Sequence, residues 1–318
     1  MKPALRPALG LVAALLLAGS PPAQACSICG CGDPLLAASD PAAITGGLRL
    51  QLDTEYLRVD AGTDGRPGFT DQLSQWSLRL NAVYRPVEPL SLFATLPLQK
   101  RTIRTVGGGT RTTASSLTGI GDVEVGARYA LWSTVNFGAR RVQELALSAG
   151  SSLPTGRDDA RDAEGALVDP HGQLGTGGFG PFAGIHYRFE QADWIAFADL
   201  SYRIRTEAAY PDHSKYRFGN AVLWSLHTQY RPVPRLALDL GLDGRHARAD
   251  RAVDADGTVL SNVENTGGTV ISVSPAVYGQ VTGRLWLFVR AQVPVLQHLA
   301  GRQDVKPTYT TGMQFQVF

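Results

Sequence analysis

The sequence predicts an all-β protein, a transmembrane antiparallel up-and-down β-barrel of about 12 strands that follows a short N-terminal periplasmic cysteine segment. Three observations predict this fold. Apolar and polar residues alternate with a period of two over segments of about ten residues. Short and long connections between these segments alternate along the chain, and aromatic side chains concentrate at the segment ends.

The alternation is clearest in residues 48–56, where apolar side chains occupy every second position and Arg49, Gln51 and Asp53 lie between them. Because successive side chains of a strand point to opposite faces, each segment has one apolar and one polar face. The predicted strands are 48–56, 76–84, 90–98, 123–131, 145–153, 181–189, 194–204, 218–230, 236–242, 269–279, 284–296 and 307–317.

The connections follow a regular order. Short turns join each even-numbered segment to the next one, from the second and third to the tenth and eleventh. The other connections are long and polar, such as 155–176 and 247–268. Outer-membrane barrels combine short periplasmic turns with longer outer loops. An even number of strands then puts both termini on the short-turn side, which predicts an outer-membrane protein with both termini in the periplasm.

Aromatic residues lie at both ends of the apolar faces. Such rings favour the level of the lipid headgroups, so this distribution predicts two girdles around an apolar band. The chain also ends in Phe318, a terminal aromatic typical of these barrels, although it is one residue out of phase with the apolar face of the last strand. The girdle residues are Tyr84, Tyr129, Trp132, Tyr187, Phe189, Trp194 and Tyr230 beside short turns, and Tyr56, Trp76, Tyr202, Phe218 and Tyr309 beside long loops.

Residues 1–25 have the pattern of a cleaved export signal. Lys2 and Arg6 precede an apolar run, 9–18, that is too short to span a bilayer as a helix. Ala23-Gln24-Ala25 then offers the small-x-small site that signal peptidase requires. We therefore expect the mature chain to begin at the next residue.

Three cysteines, Cys26, Cys29 and Cys31, lie at the start of this mature chain. Because the periplasm is oxidising, we expect two of these cysteines to form a disulfide. The third thiol then stays free or pairs with another chain. Three thiolates in a short glycine-containing loop also suit Cu(I) or Zn(II), and a lipid anchor on Cys26 is a third interpretation. The predicted divisions are a signal peptide at 1–25, a cysteine-containing periplasmic segment or plug at 26–46, and the barrel at 47–318.

The composition argues against several other functions. The net charge of +2 indicates no particular partner, and no basic patch is interleaved with aromatic residues, so nucleic acid is a poor candidate for a ligand. No nucleophile-elbow or zinc-protease motif is present, so we do not predict an enzyme. Asp158, Asp159, Asp162 and Asp169 lie near His171 in one long loop, and we interpret this group as solvated surface rather than a catalytic set. No cofactor is expected beyond a metal on the cysteines.

Two stretches resemble a known family. Ser116-Leu-Thr-Gly-Ile-Gly-Asp-Val-Glu-Val-Gly-Ala-Arg-Tyr129 and Ser152-Leu-Pro-Thr-Gly156 are similar to the bacterial outer-membrane family named for the MetA pathway of phenol degradation. The resemblance would cover 47–318 and not the cysteine segment. It implies a transporter or channel barrel for aromatic or other small organic solutes, and it implies the barrel more strongly than the solute.

The polar face of each strand would point into the barrel. A ladder of inward charges can set the selectivity of a channel, although the same residues can also serve only to pair across neighbouring strands. The predicted lumen or selectivity residues are Arg49, Asp53, Glu55, Arg79, Asp122, Glu124, Arg128, Asp199, Arg203, Asp239, Asp243, Arg245 and Arg290, and the same strand phases add Arg205 and Arg284.

These features together predict an outer-membrane channel or transporter that passes a small solute through a polar lumen. Its expected partners are outer-membrane lipid, the permeant and the barrel-assembly machinery. The alternative is a membrane-anchored redox or metal-handling component that uses the Cys-x-x-Cys-x-Cys segment to recruit a periplasmic partner.

Overall fold

A computed structural model describes residues 47–62, 69–107, 110–162, 165–210, 214–254 and 256–318, with only the backbone described for 110–114. The regular elements of these residues are all β-strands. Their bounds are β1 Gly47–Gly62, β2 Thr70–Val87, β3 Leu90–Gly107, β4 Thr110–Ile120, β5 Val123–Asn136, β6 Arg141–Leu153, β7 Gly180–Gln191, β8 Trp194–Arg203, β9 Ala208–Ala209, β10 Lys215–Arg217, β11 Ala221–Val233, β12 Leu236–Ala247, β13 Arg251–Val253, β14 Val259–Leu260, β15 Gly268–Gln280, β16 Leu285–Leu299, β17 Gln303–Val305 and β18 Thr308–Gln316.

The main sheet closes on itself. Leu52 of β1 pairs with Leu80 of β2 on one side and with Met313 of β18 on the other. Two wall strands are interrupted: β4 and β5 both pair with β3, and β17 and β18 both pair with β1. Counted in this way the wall is a closed antiparallel barrel of 12 strands, which confirms the predicted fold class.

The predicted apolar faces form the outer surface of the barrel. Leu80 and Leu240 are 43% and 60% exposed, whereas Asn81, the residue after Leu80, is 5% exposed and points inward. Among the described residues no helix is long and apolar enough to span a membrane. A soluble protein would cover such continuous leucine faces, so the outer surface of this barrel is suited to lipid.

The connection between the third and fourth strands differs from the prediction of a long polar loop over 99–122. Instead, β3 continues to Gly107 and β4 begins at Thr110. The sequence of this stretch is rich in threonine and serine at successive as well as alternate positions. Alternation of apolar and polar residues therefore disappears there, although β-branched side chains and regular pairing with β3 keep the backbone extended. We call this end of the barrel, where residues 154–179 and 248–267 lie, the long-loop end.

A second, four-stranded sheet of β9, β10, β13 and β14 lies at the long-loop end. It covers a small apolar cluster formed by Ala208, Tyr210, Tyr216 and Phe218, each at most 6% exposed. The prediction that Phe218 begins a wall strand and joins the aromatic girdle is therefore wrong. The wall strand begins at Ala221, and the Phe218 ring instead packs among the loops.

Candidate functional site: the barrel interior and its loop-covered mouth

Charged side chains of β1 and β2 pair across the inner face. Arg79 donates to Asp53 at 2.7 Å and lies 3.1 Å from a carboxylate oxygen of Glu55. Asn81 donates to the second oxygen of Asp53 at 2.8 Å. All of these side chains are buried, so the carboxylates are stabilised by partners on the neighbouring strand rather than by bulk water.

A second network joins β11 and β12. The ring of His227, fully buried, lies between Asp239 and Asp243, with nitrogen–oxygen distances of 2.8 and 3.1 Å. It stacks in parallel on Phe197 at a centroid distance of 4.8 Å. Gly241 makes this position possible, because a Cβ atom there would approach the ring within 2.1 Å. The histidine is thus held flat against the wall between two carboxylates.

A third network crosses between β5, β7 and β8. Arg203 bonds Glu124 at 2.5 Å, and its guanidinium lies over the ring of Phe182 at 5.0 Å. Asp199 bonds His186 at 2.6 Å and lies 3.9 Å from Arg128. Because opposite charges lie next to each other throughout these three networks, the inner face has alternating rather than uniform charge.

The structure places most of the predicted lumen residues on this inner face. Arg203, Arg205, Arg245 and Arg290 are partly buried, and Asp122 lies in the interruption between β4 and β5. Arg284 is a correction, because it lies exposed in the turn before β16. The remaining predicted residues are each at most 8% exposed: Arg49, Asp53, Glu55, Arg79, Glu124, Arg128, Asp199, Asp239 and Asp243.

The inner face is not uniformly polar, in contrast to the expected polar lumen. Three apolar clusters lie on it: two are formed by adjoining strands, and the third joins Phe182 of β7 to residues of β2 and β3. The strand phases put these residues on the inner side, but the predicted lumen set contains only charged residues and therefore omits them, together with His186 and His227. The clusters are Leu57, Val59 and Leu73; Val83, Phe93 and Phe182; and Ala237, Ala276, Tyr278 and Phe288.

The loop 154–179 turns into the long-loop end of the barrel. Arg101, an inner-face residue of β3, donates to the backbone carbonyls of His171 and Gln173. The fully buried amide of Gln173 in turn bonds the backbone of Ala160 and Val168 at 2.9–3.0 Å. The loop is therefore folded on itself and anchored to the wall.

The two motifs that carry the family resemblance contact each other. The hydroxyl of Thr155 accepts from the backbone of Val123 at 2.8 Å, and Asp122 accepts from the backbone of Gly156 and of Thr176 at 3.1 and 2.9 Å. The loop thus begins and ends on the interruption between β4 and β5. Asp122 consequently holds the loop in place, which is a different position from the lumen ladder predicted for it.

A buried cluster locks the same loop to its neighbours. His171 bonds Asp169 and Asp250 through its two ring nitrogens at 2.9 and 3.0 Å. Tyr216 donates to Asp250 at 2.7 Å, and the backbone of Gly219 donates to the other oxygen at 2.6 Å. We call His171, Asp169, Asp250 and Tyr216 the loop latch. The expectation that His171 lies on a solvated surface is wrong, since its side chain is 11% exposed.

We expect the latch to make the long-loop end sensitive to pH. Burial disfavours the charged ring, but the carboxylates of Asp169 and Asp250 outweigh this and raise the pKa of His171 well above its ordinary value. Because the pKa is higher in the folded protein, the protonated ring of His171 stabilises the closed loop. This stabilisation is fully present below the ordinary histidine pKa of about 6.5 and is lost as pH rises through the higher pKa of the folded state. The carboxylate of Asp250 is 3% exposed and that of Asp169 is 59% exposed. Solvent therefore screens the His171–Asp169 pair more than the His171–Asp250 pair.

We therefore expect the loop to open more often as pH rises from 6 to 9. Proteolysis within 154–179, measured on the assembled barrel, should accelerate over this range, and a His171→Gln variant should be cleaved at a rate that no longer depends on pH. A wild-type rate that stays constant, or one that falls as pH rises, would contradict this assignment.

The signal peptide 1–25, the segment 26–46 and its residues Cys26, Cys29 and Cys31 lie outside the described residues. Their disulfide, metal or lipid state stays a prediction. Among the residues that the structure describes, no group of three or more histidine, cysteine, aspartate or glutamate side chains is arranged to hold a metal ion.

Neither a protein-family profile nor a curated protein matches the chain, so the resemblance to the phenol-degradation family stays a prediction. Solved structures do match. The COG4313 outer membrane channel from Pseudomonas putida F1 is 14% identical, with 87% of this chain and 99% of that chain covered and a TM-score of 0.63. The transport unit of the autotransporter AIDA-I from Escherichia coli is 9% identical, with 87% and 92% covered and a TM-score of 0.51. This chain therefore has the fold of an outer-membrane β-barrel.

Proposed function

We propose that this protein is an outer-membrane channel for small solutes, with its short-turn end and both termini in the periplasm. The observation that carries the proposal is a closed barrel whose outer surface is apolar and whose interior holds ion-paired side chains from most of its strands. Polar groups on the inner face can replace part of the hydration of a solute, which an apolar core would not do.

The comparison with known structures supports this proposal. The Pseudomonas putida protein, which shares the fold over almost its whole length, is described as an outer membrane channel. The Escherichia coli barrel is described as a transport unit. Passage through the barrel is therefore a function that this architecture performs in other chains.

We infer that the described conformation is closed. Gln75, His227 and Ser274, which point inward from three different strands, are each 0% exposed. At the long-loop end the latch holds the loop against the wall. Passage thus needs a conformational change, and the loop 154–179 is the element best placed to provide it, because its attachments are a few hydrogen bonds rather than a strand ladder.

The channel should discriminate little between small cations and anions. Without Asp122, which holds the loop, the predicted lumen set contains six arginines and six carboxylates, and the pairs described above neutralise one another locally. Such alternating charge leaves no net field of one sign along the interior. We infer that the permeants are small and carry no large net charge.

This inference is tested by reversal potentials in planar bilayers. Under a gradient of KCl the wild-type channel should reverse close to zero. The double variant Asp53→Asn/Glu55→Gln leaves Arg79 without its carboxylate partners, so its reversal potential should shift toward that of chloride. Both proteins must first show heat-dependent gel migration, which reports a closed barrel. Strong cation or anion selectivity of the wild type would contradict the proposal, and so would a complete absence of ion current at every pH from 6 to 9.

A further inference from the structure

Several polar atoms on the inner face are buried without a hydrogen-bond partner among the described residues. The side chain of Gln229 is 0% exposed, and neither its amide oxygen nor its amide nitrogen is bonded. The Oδ2 atom of Asp239 and the Nε atom of Arg290 are also unbonded. Buried polar groups in native proteins nearly always have a hydrogen-bond partner, because a buried donor or acceptor without one destabilises the folded state. These atoms therefore point to a binding partner.

The three side chains belong to one region of the wall. Gln229 and Asp239 are direct cross-strand partners on β11 and β12. Asp239 pairs with Ala276 of β15, and Ala276 pairs with Arg290 of β16. Along this row Ala276 contributes a methyl group between the carboxylate and the guanidinium.

An aromatic surface adjoins this row. Tyr278 and Phe288, which neighbour Ala276 and Arg290 on their strands, stack at a centroid distance of 5.5 Å and are 5% and 6% exposed. Trp286 packs against the same cluster. The row of polar atoms is thus bordered by flat apolar faces, a combination that suits a ligand with both C–H surfaces and polar groups.

The chemistry of the unbonded atoms defines the ligand. The carboxylate oxygen accepts a hydrogen bond, the guanidinium nitrogen donates one, and the amide does both. A hydroxyl group also donates and accepts, so neighbouring hydroxyls can satisfy all of these atoms at once. Asp239 and Arg290 have opposite charges, which favours a ligand without net charge.

We infer that Gln229, Asp239 and Arg290 form a binding site for a small neutral polyol within the lumen. The inference rests on the proposed channel function and specifies one class of permeant for it. The site lies toward the short-turn end, because Asp239 is close to the start of β12 and Gln229 is close to the end of β11. A solute that entered past the loop would meet it before leaving the barrel.

Equilibrium dialysis with labelled erythritol, on barrels in a detergent without sugar groups, tests the site independently of ion current. Wild-type protein should bind erythritol saturably and more tightly than glycine, a smaller zwitterion that has only two polar groups. Gln229→Leu removes both unbonded amide atoms with little change in volume and should weaken binding about tenfold or more, as expected for a loss of about 1.4 kcal/mol. Ser148→Ala, a small polar change on the inner face of β6, should leave binding unchanged.

Thermal unfolding gives a second measurement. Because the Gln229 amide has no partner to lose, Gln229→Leu should unfold at the same or a higher temperature than the wild type. A lower temperature would show that the amide has a structural role and would overturn the inference. Absence of erythritol binding in a barrel that conducts ions would overturn the polyol site while leaving the channel proposal in place, and preferential binding of glycine would do the same.

Discussion

Replacing Leu80 with arginine should lower the free energy of unfolding of the barrel by about 2–4 kcal/mol, the cost of a cation on the lipid face near the middle of the bilayer. Leu80 points outward and is 43% exposed. It lies midway along β2 between the outward rings of Trp76 and Tyr84, which mark the two predicted interfaces. Urea unfolding in lipid vesicles, followed by tryptophan fluorescence, measures the effect.

Val87→Arg is the matched control. Val87 is also exposed, at 56%, and it lies on the same strand at the turn that follows it. At the interface the same cation costs about 0–1 kcal/mol, because its charge reaches water. Equal losses at the two positions would mean that the outer surface of this barrel is not in contact with lipid in the way described.

Replacing His227 with leucine should cost about 3–5 kcal/mol, the range found when one partner of a buried charged pair is removed. The substitution leaves Asp239 and Asp243 without their common partner, and the Oδ2 atom of Asp239 has no other partner among the described residues. Asp243 keeps a bond from Gln292 at 2.9 Å, which limits the loss. The measurement is again urea unfolding in vesicles.

His246→Leu provides the comparison for this variant. His246 lies on β12, is exposed, and bonds only Thr269 at 2.9 Å among the contacts described for its side chain. A surface substitution of this kind usually changes stability by less than about 0.5 kcal/mol. If the two leucine variants were equally stable, the carboxylates beside His227 would have to be neutral or hydrated.

The strands with an apolar outer face could be predicted because the pattern that produces this face is visible locally. Every second residue must be apolar where the wall meets hydrocarbon, so 76–84 and 90–98 were correctly placed. Beyond this band the wall has water outside and loops inside, and nothing requires alternation. The sequence of 99–120 therefore predicts a loop, although β3 and β4 pair in this part of the wall.

The loop latch could not be predicted because its members are far apart in sequence. His171 and Asp250 are 79 residues apart, and no spacing rule connects two loops that meet only after the barrel closes. The inward rings of Phe93 and Phe182 were on the correct face by strand phase. Their contact, at a centroid distance of 6.1 Å, depends on the pairing order of four strands, which a single sequence does not show.

The central claim, that the barrel is a channel closed by the loop 154–179, is tested most directly by single-channel conductance of a loop-shortened variant. Leu174 and Gly175 both donate to the carbonyl of Arg157, at 3.0 and 2.9 Å, so residues 158–173 can be replaced by a short Gly-Ser turn without moving the ends of the loop.

At pH 6, where the latch is fully formed, the shortened barrel should conduct several times more than the wild type. A point variant on the same loop, Asp159→Ala, removes an exposed pair with Arg157 and should conduct as the wild type does. Equal conductance of the wild-type and shortened barrels, both correctly assembled, would contradict the account, because the loop would then not be what closes the channel.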